Sequence, residues 1–253
     1  MPMRPSSINY GSGALVVQQS IYEESLTMKH RLGERLALGE RTFYYAHAGE
    51  ALIAGQAIES AAVGGADTTL QNTCAVTVAA NIGDFKVYAN ALTTAQVADL
   101  YAEGWMAIWD ATTAGISYLY RIKSNSAIAT TGVTSYYTLY DPLHIALTTF
   151  DQVNVVTNLF KGVVQSHTAH IGMILGVAPV AVTSGYYFWL QTYGPAAVHT
   201  VAALDLADSV TASDDTAGTW GKSASNTLVN PMGYCIHFGT AGEAGIVFLT
   251  IAR

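Results

Sequence analysis

His167 and His170 stand three residues apart and come closest, in this chain, to a metal-ligand or proton-transfer motif. A zinc-protease helix needs H-E-x-x-H, with a glutamate as base between the two histidine ligands. Here the pair sits between Lys161 and Asp205, an interval without Asp, Glu, Lys or Arg, so no carboxylate accompanies it and it reads as a surface turn or the edge of a core. Asp214 and Asp215 adjoin one another. A calcium loop needs alternating oxygen ligands and a closing glutamate, so the two read as a solvated turn. Asp205 and Asp208 lie in the same polar region and add no pattern. Phosphate-cradling glycine motifs and the G-x-S-x-G elbow are absent, and Gly11-Ser-Gly13 is too short and follows no strand. Two glycosidase carboxylates need no local motif, but the 18 acidic residues are scattered without one. The reading is a non-enzyme with no catalytic residue, no cofactor and no metal ligand.

The aromatic residues are more informative. Fifteen Tyr and four Trp can anchor a protein interface or stack on sugars. Tyr136, Tyr137 and Tyr140, with Tyr118 and Tyr120, are placed to pack across neighbouring strands. Hydrophobic residues make up 51% of the chain and charged residues 11%, against ~25% charged in an ordinary soluble domain. A surface so poor in charge points to burial against other chains. The net charge is −7, and no Lys/Arg cluster marks a nucleic-acid face. Five of the eleven basic residues, Arg4, Lys29, Arg31, Arg35 and Arg41, fall in the first 41 positions among Glu23, Glu24, Glu34 and Glu40. That mixed segment suits a protein contact, and Tyr10, Tyr22, Arg31, Arg35 and Arg41 are its candidate contact residues. Cys74 and Cys235 are too far apart in sequence for a disulfide framework or zinc signature and read as buried thiols made in a reducing cytoplasm. No signal peptide is visible, and the apolar run Ile171–Val182, interrupted by Pro179, is too short for a spanning helix and reads as core.

Strand signals dominate the elements that would position these residues: short runs of Val, Ile, Thr, Tyr and Phe punctuated by 23 glycines. Residues 1–30, with Pro2, Pro5 and Gly11, read as an extended arm, with room for a short helix at 21–30. Residues 41–60 read as strand, turn, strand, with Gly55 at a turn or bulge. In 75–90, Val76 and Val78 are expected to share a face, as are Phe85 and Val87. Thr93 or Thr94 caps an expected short helix near 94–103, with Val97, Leu100 and Tyr101 at helical spacing and Gly104 ending it. Strands resume at Trp105–Trp109 and Ile116–Ile122, with two more in 136–160 broken at Asp141-Pro142. The aromatic run Tyr186–Tyr193 is expected to stop at Gly194-Pro195, and Gly245–Ile251 reads as a central strand. A faint echo links the aromatic strand, glycine turn and apolar strand of 43–58 with those of 186–210, as two related modules or by coincidence. The fold class expected is all-β, a β-barrel or β-sandwich in one or two modules, with one short helix and the N-terminal arm. The organisation expected is an arm (1–30), a first module (31–162) and a second module or continuation (163–253).

Four segments together resemble a group of bacteriophage decoration, or cement, proteins: 32–56 with Arg41-Thr-Phe-Tyr-Tyr-Ala-His47, 104–125 with Gly104-Trp-Met-Ala-Ile-Trp-Asp110, Leu139-Tyr-Asp-Pro-Leu143, and Tyr187-Phe-Trp-Leu-Gln-Thr-Tyr-Gly-Pro195. The resemblance rests on turns and strands and transfers no individual residue. It implies a virion structural protein on the capsid exterior, assembled in the host cytoplasm. It also implies partners in the major capsid protein and in further copies of the chain as a homotrimer, without nucleic acid or membrane. The alternative from another class is a head-fibre or tail-associated adhesin that binds host glycans through exposed aromatics.

Overall fold

The computed structural model describes residues 19–61, 71–91, 95–109, 117–128, 132–169, 171–223, 231–237 and 242–252. It is all-β, as the residue pattern requires, and divides into two compact units. Unit 2 is residues 62–159, and unit 1 is residues 1–61 together with 160–253. The chain therefore does not break once near residue 163. It leaves unit 1 after Ala61, builds a separate core, and re-enters at Phe160.

The inserted unit is a closed six-stranded antiparallel barrel. Its strands are β4 (Gln71–Val78), β5 (Lys86–Ala91), β6 (Trp105–Trp109), β7 (Ser117–Asn125), β8 (Thr134–Leu139) and β9 (Gln152–Val156), ordered β4-β5-β8-β7-β6-β9. Alternation builds it: β6 and β9 point Met106, Ile108, Val153 and Val155 inward, where they meet Val76, Val87, Ile122, Tyr137 and Leu139. These side chains fill the lumen, as in other small barrels. One buried polar group is met inside it: the Tyr137 hydroxyl donates to Gln96 Oε1 and lies 3.3 Å from the Cys74 thiol. Burial there holds the Tyr137 hydroxyl far above its ordinary range.

The expected helix at 94–103 does not form. Its caps Thr93 and Thr94 lie outside the described residues, but 95–104 are described and run as turns. The backbone there bonds outward: Gln96 pairs with Ile128, the Asp99 N–H donates to Asn125 O at 2.9 Å, and the Tyr101 N–H donates to Asn125 Oδ1 at 2.9 Å. Asp99 and Glu103 adopt left-handed φ values of 54° and 64°, which a helix excludes. The spacing of Val97, Leu100 and Tyr101 arose from turns: Tyr101 is buried and Val97 is 65% exposed. In β4 the register shifts between Val76 and Val78, a bulge that buries Val76 and turns Val78 outward. Phe85 precedes β5 and is exposed while Val87 is buried, so neither expected shared face is present.

Unit 1 is one sheet of ten strands: β1 (Arg35–Leu38), β2 (Arg41–Ala48), β3 (Ala57–Glu59), β10 (Lys161–Gln165), β11 (Ile174–Val177), β12 (Tyr187–His199), β13 (Ser209–Ala212), β14 (Trp220–Lys222), β15 (Gly233–His237) and β16 (Ala244–Thr250). Pairing of β2 with β12 closes the strands β2-β10-β3-β11-β12 into a ring. Ala46, Ile58, Val163, Leu175, Phe188 and Leu190 form the core of these strands. The two aromatic strands of the internal echo are thus neighbours in one sheet, with Trp189 opposite Tyr45, rather than two modules.

Strand β12 does not stop at Gly194-Pro195. It runs thirteen residues and changes partner there, from β2 to β16. Gly194 has φ +84°, and a Cβ on it would lie 2.4 Å from Glu40 O. Only glycine permits this bend. Beyond it, β12, β16, β15, β13 and β14 continue the sheet, and one face of them covers Val198, Val210, Trp220, Cys235, Val247 and Leu249. Both cysteines are buried thiols and neither forms a disulfide.

Residues 19–30 are not a free arm. Ile21 is buried, Ser25 pairs with Tyr187, and the Gln19 side chain accepts from Tyr45 Oη at 2.7 Å while its carbonyl accepts from Trp189 Nε1 at 3.0 Å. Ile21 with Leu36, Phe43, Tyr45 and Trp189 makes a small core on the second face of β2 and β12. The room for a short helix at 21–30 is not used; the segment runs as turns and bends. The aromatic strands carry two apolar faces, and this segment covers the second.

Candidate functional site

The contact residues expected from sequence separate into three groups. Tyr10 lies outside the described residues. Tyr22 and Arg41 come together: Arg41 Nη1 donates to Tyr22 Oη at 3.4 Å and the guanidinium lies 5.4 Å from the Phe43 ring centroid. Tyr22 remains 60% exposed. Arg31 and Arg35 are exposed, Arg35 on β1, the edge strand of the sheet. The result is an edge of mixed charge with exposed Tyr22, built from the turn segment and the first hairpin.

A second surface was not singled out in the sequence. On the outward side of the sheet beyond Gly194, β12 presents Tyr193, Pro195, Ala197 and His199, and β16 presents Ile246 and Phe248. Strand β15 adds Tyr234 and Ile236. Register aligns them in rows, Pro195 beside Phe248 beside Tyr234, and Ala197 beside Ile246. Tyr193 meets Phe248 edge to face at 5.3 Å. Tyr234, Ile236 and Ile246 are each at least 40% exposed. With Ser209 and Thr211 of β13, this face holds no Asp, Glu, Lys or Arg among the described residues. The run Gly245–Ile251 looks continuously apolar because both faces of β16 are apolar, yet only one of them is covered by the described residues.

The barrel carries two aromatic rows on its exterior. Trp105 and Trp109 of β6 lie opposite Arg121 and Ser117 of β7, and the Arg121 guanidinium sits 5.7 Å from the Trp105 ring centroid. Arg121 also meets Glu103 at 2.8 Å, and Tyr140 donates to the same carboxylate. The Glu103 carbonyl accepts from Asn158 Nδ2 at 2.8 Å, so Glu103 ties the start of β6 to β7, to the end of β8 and to the segment after β9. The second row crosses β4, β5 and β8 as Val78, Tyr88 and Tyr136. Tyr136 therefore pairs with Tyr88, at 6.3 Å, while Tyr118 and Tyr120 face each other at 6.5 Å.

The histidine motif acquires a carboxylate that the local sequence lacks. Glu59, wholly buried on β3 and 108 residues away, bonds His167 Nδ1, and its Oε2 is buried without a hydrogen-bond partner. His170 lies outside the described residues. Among the described residues no three metal-binding side chains gather. Asp214 and Asp215 lie in a turn in which Ser213 Oγ accepts the Asp215 N–H at 3.1 Å. Asp208 accepts the Asp205 N–H at 2.9 Å and meets Lys222 at 2.6 Å, which holds its carboxyl below the usual carboxylate range. No described helix is long and apolar enough to cross a membrane.

No family model, no curated protein and no solved structure matches this chain.

Proposed function

We propose that the chain is a virion structural protein that decorates and stabilises a phage capsid by bridging capsomers, as a homotrimer. The observation that carries this reading is the uncharged outward face of β12, β16 and β15, with Tyr234, Ile246 and Phe248 at its centre. Apolar faces without charge are typical of permanent interfaces between copies of one chain, which resemble a core cut in half. This face is assigned to the subunit contact. The mixed-charge edge of Tyr22, Arg31, Arg35 and Arg41 is assigned to the capsid shell, where mixed polar contacts give register and repetition over the lattice adds avidity. A stable contact of this kind buries ~1,600 Å². The mechanism is area burial alone, opposing the outward pressure of packaged genome.

Light scattering on the purified chain, followed by electron microscopy of the assembled particle, tests both assignments. A trimer is expected at micromolar concentration, and the pair Tyr234→Asp with Ile246→Asp is expected to give a folded monomer. Density in the particle should bridge capsomers in symmetric copies. A wild-type monomer, or density confined to a tail or fibre, sinks the capsid reading and favours the adhesin.

A further inference from the structure

We infer that the inserted barrel carries a binding site for one pyranose ring of a surface saccharide. The site is a shallow depression of about 290 Å³ lined by Ala79, Ala80, Asp84, Phe85, Lys86 and Tyr88. It belongs to unit 2, whereas the subunit and shell contacts are assigned to unit 1, and a structural protein anywhere on the particle can carry it.

The local sequence builds it in three steps. The bulge at Val76–Val78 ends the regular part of β4 and turns Val78 outward opposite Tyr88. Ala79 and Ala80 follow, and their small side chains leave a floor instead of filling the gap. The turn at 81–84 is then held by the Asn81 N–H, which donates to Asp84 Oδ2 at 2.7 Å, and by the Gly83 N–H, which donates to Leu143 O at 2.8 Å. That turn sets Phe85 and Tyr88 beside the floor, 49% and 36% exposed, with Asp84 and Lys86 among the lining residues. Lys86 Nζ lies 4.7 Å from the Tyr136 ring centroid, which fixes the ammonium on this side of the barrel. Tyr136 in turn supports Tyr88 edge-on.

The chemistry selects a sugar ring. A pyranose has an apolar C–H face and a rim of hydroxyls. Exposed aromatic rings desolvate the face without closing over it, while one carboxylate accepts hydroxyl protons and one ammonium donates to hydroxyl oxygens. A drug-like ligand needs a cleft that buries most of its surface, ~300–1,000 Å³, and this depression is at the small end of that range and open. Apolar rings with two charges of opposite sign also fit poorly with a long uncharged peptide contact. The expected affinity for a single ring is weak, on the order of 1 mM, and useful on a particle because many copies act together.

The full-length protein is labelled at Phe and Tyr ring carbons and titrated, by nuclear magnetic resonance, with N,N′-diacetylchitobiose, lactose, maltose and a sialyllactose. Saturable shifts at Phe85 and Tyr88 are expected for at least one of them, weakened tenfold or more by Tyr88→Ala and by Asp84→Asn, and unchanged by Tyr234→Ala on unit 1. Circular dichroism checks that the variants fold, which is expected because both altered side chains are exposed. No saturable shift with any of the four at 20-fold the expected dissociation constant overturns the inference, and so does a response that survives Tyr88→Ala. Saturation by a proline-rich peptide with none by saccharide overturns it in favour of a protein ligand. None of these results bears on the trimer or its place on a shell.

Discussion

At the scale of single residues, burial changes what a side chain can do more than its type does. His47 shows this with a sign that can be tested. Its ring lies half buried against Tyr187 at 4.8 Å, opposite Lys161 of β10. Burial disfavours the imidazolium and Lys161 repels it, which outweighs a hydrogen bond to the Gly185 backbone, so the folded pKa falls below the ordinary ~6.5. The unfolded chain then takes up a proton at a higher pH than the folded one. This contribution to stability is complete above pH ~6.5 and is lost as pH falls through the folded value. Thermal unfolding is expected to move to lower temperature between pH 7 and pH 5, and His47→Gln should flatten that part of the curve, read by circular dichroism.

Glu59 and His167 make the complementary point. The histidine was conspicuous in the sequence and its partner was not, because a carboxylate 108 residues away is brought in only by the pairing of β3 with β10. Tyr22 and Arg41 were both singled out from local charge and aromatic content, but their meeting depends on the turn segment folding back.

At the scale of elements, runs of β-prone residues located the strands and missed the irregularities. The strands at 41–48, 105–109, 134–139 and 152–156 follow from runs of β-prone residues. Three of the failures lie where the backbone departs from regular geometry: the bulge in β4, the turns mistaken for a helix at 95–104, and the bend at Gly194. Gly194-Pro195 looked like a terminator because proline cannot donate to a ladder. In the fold β12 bends there and carries on with a different neighbour. Gly194→Val is expected to destabilise the protein by about 3 kcal/mol, from a left-handed φ that valine resists and a collision with the Glu40 carbonyl. Urea denaturation measures it, and a loss under ~1 kcal/mol would show that the bend is easily relaxed.

At the scale of the whole molecule, the barrel is an insertion in a second β unit. The ends of the insertion return to neighbouring strands: Glu59 pairs with Val164 in the β3–β10 ladder, and a Cβ on Gly162 would lie 3.9 Å from Ala61 Cβ. Each unit holds its own buried clusters. Replacing 62–159 by about four Gly/Ser residues, a usual hairpin length, should therefore leave unit 1 folded with cooperative thermal unfolding. A molten product without a near-ultraviolet signal would mean that unit 1 depends on the barrel. The shortened chain also separates the two proposed roles, since the trimer contact lies on unit 1 and the saccharide cradle on the barrel.

Composition and alternation by themselves determined that this chain is all-β, that its surface is poor in charge and that both cysteines are buried thiols, because burial and strand period are properties of neighbouring residues. Only the tertiary structure decided the two-break domain division, the closed barrel, the fold-back of residues 19–30, the uncharged face beyond Gly194 and the cradle of Phe85 and Tyr88. These depend on which strands pair, and pairing joins residues tens to hundreds of positions apart whose affinity for one another leaves no local mark in the chain.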